Sequence, residues 1–367
     1  MINIFFKIRE KGLRWLLNRL INELINPKNG ILKLIIDKIL NIKYHYSKKN
    51  TSSQYLYAIY DLDISPITFN IVEYLQLVER ELLKLNMIGF VIVFVPKKEN
   101  ALNGNLEYDK IIDNDSLSWR IENILVQTSR LHPKCKGVFT LPDRISIKNI
   151  INQYVIYPRL YDGINIRFPN LEDFWKEFNS PGMFTGLKAS HQGLKYVKEY
   201  IDCNNIDKKI ITIVIRQYDY DKSRNSNLIE WNKFINYLIN KDYYPIIVPD
   251  TDNAFIKNLP FPEKYIFRDC CWNVGLRIAL FELSFLTFGC ANGPMALAIH
   301  NNSCSFILMN MLPEGSSVTT KESYKRIGYE IGENWRFLNE KQKISYLPDN
   351  FENIKIEFEL FEKFNTN

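Results

Sequence analysis

The sequence predicts an α/β protein with two open parallel sheets, each flanked by helices, behind a basic helical arm. Three observations predict it. Short apolar or β-branched runs, such as residues 88–95 and 210–215, alternate with longer segments of helical period. The alternation occurs twice, on either side of a stretch at residues 158–190 that carries Pro158, Pro169, Pro181, Gly163, Gly182 and Gly186 and has the composition of an interdomain connection. Polar residues follow the apolar runs directly, at Asp61, Arg216, Asp250 and Asn292, where an open parallel sheet presents its binding edge.

Composition sets the bounds. The chain of 367 residues, 46% hydrophobic and 24% charged, is long enough for two cores. Residues 1–50 hold eleven Lys or Arg and three acids, a net +8 against +6 for the whole chain, so the remainder carries −2. A nearly neutral body predicts no nucleic-acid surface. The six cysteines form no CxxC pair. They read as reduced core thiols of a cytosolic protein and not as a disulfide framework or zinc site. No apolar run reaches the roughly 20 residues of a membrane span. The N-terminus lacks the uninterrupted apolar core and small-residue cleavage site of a signal peptide.

Within the arm, Leu13, Leu16, Leu17, Leu20, Leu24 and Ile25 share one helical face. Residues 27–30 make a turn, and a second basic helix follows over residues 31–42. Two settings suit this pair: an anionic membrane surface under residues 1–42, or packing on the body or on a partner chain. A polar linker at residues 47–54 leads to a strand at 55–60, a helix at 69–85 and a wholly apolar strand at 88–95. A helix at 119–131, a short strand at 137–141 and a short helix at 146–153 complete the first half. The second half predicts a helix at 193–201, a strand at 210–215, a helix at 228–240 and a strand at 244–248. Extended chain at 265–267 and a helix at 273–281 come next. The apolar run 280–288 is expected to be a strand that ends at the turn Asn292-Gly293-Pro294, with a helix from there to about His300 and a strand at 305–309. The domains expected are 1–50, 51–185, 186–330 and a tail at 331–367.

Candidate chemistry sits after the strands. Pro294 suits a first helical position, so the amides of Gly293 and Met295, with Asn292, would face an anion. Arg216 can meet a diphosphate through a planar pair of donors, or form a salt bridge at the sheet rim. The loop after it carries Arg224 and Asn225, residues suited to a ligand loop or to ordinary solvated chain. Asp61 or Asp63 can serve as a general base, or as a cap or loop acceptor. His191, one of four histidines, is a second proton-transfer candidate, whereas His300 reads as structural. Asp250 can bind a ribose hydroxyl or cap a turn. Asp250 and Asp252 alone are too few ligands for a metal site. GxSxG, Walker A, HExxH and GxGxxG patterns do not occur, which argues against hydrolases, NTPases, metalloproteases and dehydrogenases of those kinds.

Together these pieces resemble the GT-B glycosyltransferases, which have two Rossmann-like parallel-sheet domains. Residues 205–312 look like the C-terminal half of the lipopolysaccharide heptosyltransferases. That family carries Asp-(Ser/Thr)-Gly-Pro-x-His-Leu-Ala between a strand and a helix and sets the turn against the donor diphosphate. Here the stretch reads Ala291-Asn292-Gly293-Pro294-Met295-Ala296-Leu297-Ala298, with Ala291 and Ala296 in place of the family's Asp and His. Arg216 sits where fucosyltransferase-like members place an arginine toward the donor. The resemblance implies sugar transfer from a nucleotide-sugar to a glycan or lipid-linked acceptor, with no cofactor and no metal. Cysteine usage predicts a cytoplasmic enzyme, and the charge of the basic arm offers a peripheral place on the inner face of the membrane as one of the arm's two settings. Two rivals stay open: a nucleotide-sugar epimerase or hydrolase, and a non-catalytic glycan-binding or assembly protein. GT-B proteins often return a C-terminal helix to the first domain; here the tail from about Tyr324 has a mixed pattern.

Overall fold

The structure, a computed structural model, describes residues 35, 38–39, 54–97, 114–159, 161–163, 171–255 and 259–366. The expected arm lies outside them except at three positions. In chain order the elements are β1 (Tyr55–Asp61), α1 (Ile71–Lys84), β2 (Gly89–Val95), α2 (Asn114–Arg120), a π-helical segment Ile121–Val126, α3 (Gln127–Arg130), β3 (Cys135–Thr140), α4 (Ile147–Gln153), β4 (Ile156–Tyr157) and α5 (Glu172–Glu177). There follow α6 (His191–Cys203), β5 (Ile210–Val214), α7 (Leu228–Asn240), β6 (Tyr244–Val248), α8 (Asp269–Trp272), α9 (Val274–Leu283), β7 (Leu286–Cys290), α10 (Ala296–Ile299), β8 (Phe306–Met309), α11 (Lys321–Arg326), β9 (Gln342–Ile344) and α12 (Phe351–Thr366).

The chain divides into two compact units. One comprises Met1–Ser65, Glu81–Ala101 and Phe139–Pro169; the other comprises Pro66–Arg80, Leu102–Val138 and Asn170–Asn367. The first sheet has the order β3-β2-β1-β4. Its β1 runs parallel to both β2 and β4. Every residue of β2 is buried, as a parallel strand covered on both faces requires. Ile59, Val91, Val93, Ile147 and Ile156 build the core on one face of this sheet.

The second sheet has the order β6-β5-β7-β8-β9, and every pairing in it is parallel. Side chains cap its longer helices. Ser190 Oγ accepts from the Gly193 amide, Asn227 Oδ1 from Glu230 and Asn273 Oδ1 from Leu276. One face of the sheet buries Trp231, Phe234, Phe288 and Ile307 together with Ile354 and Phe358 of α12. The other buries Val197, Ile246, Val248 and Leu280.

One expectation changes here. Residues 280–288 are not one strand, because Leu280 to Leu283 finish α9 and β7 begins at Leu286. A helix buried all round has the same continuous apolar pattern as a buried strand. The tail, of mixed pattern in the sequence, belongs to the second unit. It supplies β9 and then α12, whose Glu359 accepts from Tyr237 Oη at 2.6 Å and whose Glu362 accepts from Lys241 at 2.6 Å.

Asp349, just before α12, joins distant stretches of the second unit. Its buried carboxylate accepts from the Asn227 amide at 2.8 Å, Trp231 Nε1 at 2.9 Å, Cys290 Sγ at 3.2 Å and Asn310 Nδ2 at 3.4 Å. Asp349→Ala leaves these donors unsatisfied and should cost about 2–4 kcal/mol of stability, read as a lower urea midpoint.

His300 is buried among the rings of Phe174, Phe184 and Phe337, with centroids at 5.0, 5.6 and 5.7 Å. Burial lowers its pKa from 6.5 to about 3. The folded state therefore keeps the ring neutral. This contribution to stability is complete above pH 6.5 and is lost as pH falls from 6.5 towards 3. His300→Phe should flatten the acid side of the stability profile in that window by up to about 1.4 kcal/mol per pH unit, measured by denaturant titration at stepped pH.

A cavity at the strand-order switch of the second sheet

The order β6-β5-β7 reverses direction at β5, so the chain segments leaving β5 and β7 diverge and leave a crevice. A cavity of about 510 Å³ lies there. All its lining residues belong to the second unit. Arg216, Tyr218, Tyr220 and Arg224 come from the β5 exit, Asp250 to Asp252 from the β6 exit, and Asn292 to Pro294 from the β7 exit. Residues 66–70 ahead of α1, Trp119, Arg120 and Ile124 around the π-helical segment, and Cys271, Trp272, Val274 and Arg277 complete it with Val318.

The β5 exit folds around its own arginine. Ser226 Oγ accepts from the Arg216 amide at 3.0 Å, and the Ser226 amide donates back to the Arg216 carbonyl at 2.9 Å, closing the loop between them. Inside it the buried Arg216 guanidinium donates to the carbonyls of Asp221 and Tyr220 and to Asn225 Oδ1. Asn225 also spans the Tyr218 amide at 3.0 Å and carbonyl at 3.1 Å. Arg216 and Asn225, expected to hold ligand, thus shape the loop, with Arg216 still in the cavity wall and Asn225 behind it. Arg224 donates to the Ala291 carbonyl at 2.8 Å and fastens the loop to the end of β7.

The β7 exit also differs from expectation. Residues 293–295 form a single 3-10 turn, followed by the four-residue α10. The Met295 amide is taken by Asn292 Oδ1 at 3.0 Å, so Met295 contributes packing and no free donor. Asn292 Nδ2 is buried and has no hydrogen-bond partner among the described residues, and the same holds for Trp119 Nε1. Both residues line the cavity, and an unsatisfied buried donor calls for an acceptor. Gly293 is fixed by space: an added Cβ would stand 3.0 Å from Phe69 Cδ2.

Sequence reading missed the other half of the wall. Arg277, only 3% exposed, donates to the carbonyls of Cys270 at 2.6 Å and Cys271 at 3.0 Å. Burial lowers its pKa from the ordinary guanidinium range. A lone arginine inside Val-Gly-Leu-Arg-Ile-Ala-Leu-Phe was the available signal. Trp272 is 57% exposed and meets Trp119 with centroids 5.0 Å apart. The Tyr218 ring lies 6.0 Å from the guanidinium carbons of both Arg120 and Arg216, and its hydroxyl accepts from Arg120 at 3.2 Å. Asp250 accepts from the Gln217 amide at 3.2 Å, and burial raises its pKa. Arg120, Arg216, Arg224 and Arg277 share this wall with Asp250 and Asp252, an excess of positive residues suited to an anion.

The three proton-transfer candidates lie outside the cavity wall. In the first unit Asp61 is fully buried. It receives Arg144 through both oxygens at 2.8 and 2.6 Å, Tyr161 Oη at 2.6 Å and the Asp63 amide at 3.0 Å. Those bonds raise the pKa of Arg144, and burial followed by the Asp61 bond raises that of Tyr161. Asp63 stands 3.2 Å from Arg144 and keeps a side chain 10% exposed. His191 is the exposed first residue of α6.

Two parallel α/β sheets with a cavity at a strand-order switch define a GT-B type of fold. The structure of Escherichia coli ADP-heptose lipopolysaccharide heptosyltransferase II is similar, with a TM-score of 0.51 at 8% identity, over 86% of this chain and 100% of that one. The glycosyl transferase family 9 protein of Veillonella parvula gives 0.47 at 8% identity, over 86% and 91% of the two chains. Escherichia coli heptosyltransferase WaaC with ADP gives 0.41 at 9% identity, over 83% and 97%. At 8% identity the likeness to heptosyltransferase II speaks to the fold alone. No protein-family profile matches the sequence, and no curated protein matches it.

Asn225→Ala removes three hydrogen bonds that hold residues 216–226 together. Amide exchange over residues 217–225 should accelerate by at least about tenfold, since each net bond is worth about 1 kcal/mol, while exchange in β5 stays unchanged.

Proposed function

We propose that the protein is a glycosyltransferase that binds a nucleotide-sugar in the cavity of the second unit and passes the sugar to a glycan or lipid-linked acceptor. The observation that carries this reading is the wall itself: four arginines, two unsatisfied buried donors and an exposed tryptophan at the β5/β7 switch. The diphosphate meets Arg224, Arg277 and the Asn292-Gly293-Pro294 turn. Arg277 is held by carbonyls before ligand arrives, so its charge needs no reorganisation during transfer. Positive groups of this kind stabilise the departing diphosphate without a bound metal. Asp250 takes a ribose hydroxyl, and the exposed face of Trp272 supports the nucleobase, a stacking contact worth about 1–3 kcal/mol.

Asp63 is the better base of the two carboxylates, because Asp61 is saturated by Arg144 and Tyr161. Asp61 then acts through Arg144, which touches both aspartates. His191 takes second place, since it caps no cavity and is solvent-exposed. The basic arm, residues 1–42, docks the enzyme on an anionic membrane surface at the cytoplasmic face, through its net charge and its leucine stripe. Among the described residues no helix is long and apolar enough to cross a membrane.

A thermal-shift and calorimetric panel of nucleoside diphosphates and nucleotide-sugars tests the donor site. A ligand at 100 times its Kd should add about 2.7 kcal/mol of stability, and Trp272→Ala should weaken it by about tenfold or more. No binding by any member of the panel would sink this reading. Donor turnover without acceptor would favour a hydrolase or epimerase. Binding with no loss of transfer in Asp63→Asn would remove Asp63 as the base.

A further inference from the structure

The outer face of α12 is apolar where a surface helix is normally polar. Ile356, Leu360 and Phe364 recur every fourth residue and are 48%, 56% and 61% exposed. The opposite face is already used: Ile354 and Phe358 fill the second core, while Glu359 and Glu362 receive Tyr237, Lys241 and Tyr243 from α7 and its following turn. The fold therefore satisfies one side of the helix and leaves the other as a stripe about two turns long.

The charges beside the stripe select the occupant. Glu352 is exposed at its N-terminal end and Lys363 at its C-terminal end. Eleven residues separate them, about 16 Å along the axis, so they do not pair within one helix. An anionic membrane is a poor fit, because α12 has no basic cluster: Lys355 and Lys363 are its only cations against four glutamates, Glu352, Glu357, Glu359 and Glu362. A second α12 laid antiparallel fits better. With a two-fold axis passing near residue 358, Ile356 of one copy meets Leu360 of the other, and each Glu352 meets Lys363 across the pair. Antiparallel helices also set opposite dipole ends together, and a two-fold contact of one patch with itself closes without leaving a free surface.

We propose that two copies of this chain associate through an antiparallel pair of α12 helices, seamed by Ile356, Leu360 and Phe364 and registered by Glu352 with Lys363. The contact lies on the helix face turned away from the second core, so it is independent of the donor reading.

Sedimentation equilibrium on the full chain tests it. The expected species is a dimer of 43.4 kDa protomers, and Leu360→Asp should convert it to monomer while its unfolding profile and far-UV signal stay as in the parent. Charge reversal then reads the register. Glu352→Lys and Lys363→Glu should each weaken the dimer by roughly tenfold, and the double reversal should restore it. A monomer at all concentrations, as would follow if residues 1–42 cover the stripe in the same chain, overturns the proposal. So does a dimer indifferent to Leu360→Asp. Failure of the double reversal to rescue overturns the antiparallel register.

Discussion

A single buried carboxylate holds the second unit together. Asp349 accepts from the start of α7, from the Trp231 ring, from the end of β7 and from the residue after β8. These are the elements whose loops frame the cavity. A buried ion costs several kcal/mol unless its lone pairs are filled, and here four donors fill them. The carboxylate thereby fixes the approach to the tail helix, the start of α7 and the ends of β7 and β8 in one arrangement. Parallel strands bring these segments close only after long crossovers, so the junction draws on contacts far apart in the chain.

The same logic governs the arginines above it. Arg216, Arg224 and Arg277 all donate to backbone carbonyls. A guanidinium anchored this way loses little freedom when an anion binds, and its desolvation is already offset. Positive charge in the cavity is thus built into the loop conformations. The turn at Asn292 adds a different device. Its side-chain oxygen accepts from the Met295 amide, and its side-chain nitrogen is buried without a partner among the described residues. What this turn offers the cavity is therefore a side-chain donor, with the Met295 amide already used inside the turn.

Much of the fold was legible because its signals are local. The bounds read for α7 and β6, residues 228–240 and 244–248, coincide with the structure. Asn227 and Pro249 flank those segments with capping and breaking chemistry. The run 280–288 misled because a buried helix and a buried strand look alike without polar alternation. The cavity was half legible. Residues that directly follow strands, Arg216, Asp250 and Asn292 to Pro294, are in its wall. Trp119, Arg120, Trp272 and Arg277 arrive from helices remote in sequence, and nothing local marks them as neighbours.

Sequence alone therefore determined the strand-and-helix alternation, the two-sheet class and the polar edge of each strand, since these follow from periodicity and turn chemistry. Only the tertiary structure decided what each polar residue does. Whether Arg216 faces a ligand or its own loop, and whether Asp61 is available or locked by Arg144 and Tyr161, depends on partners fixed by packing. Charge acquires its role from burial and geometry, and both are properties of the folded chain.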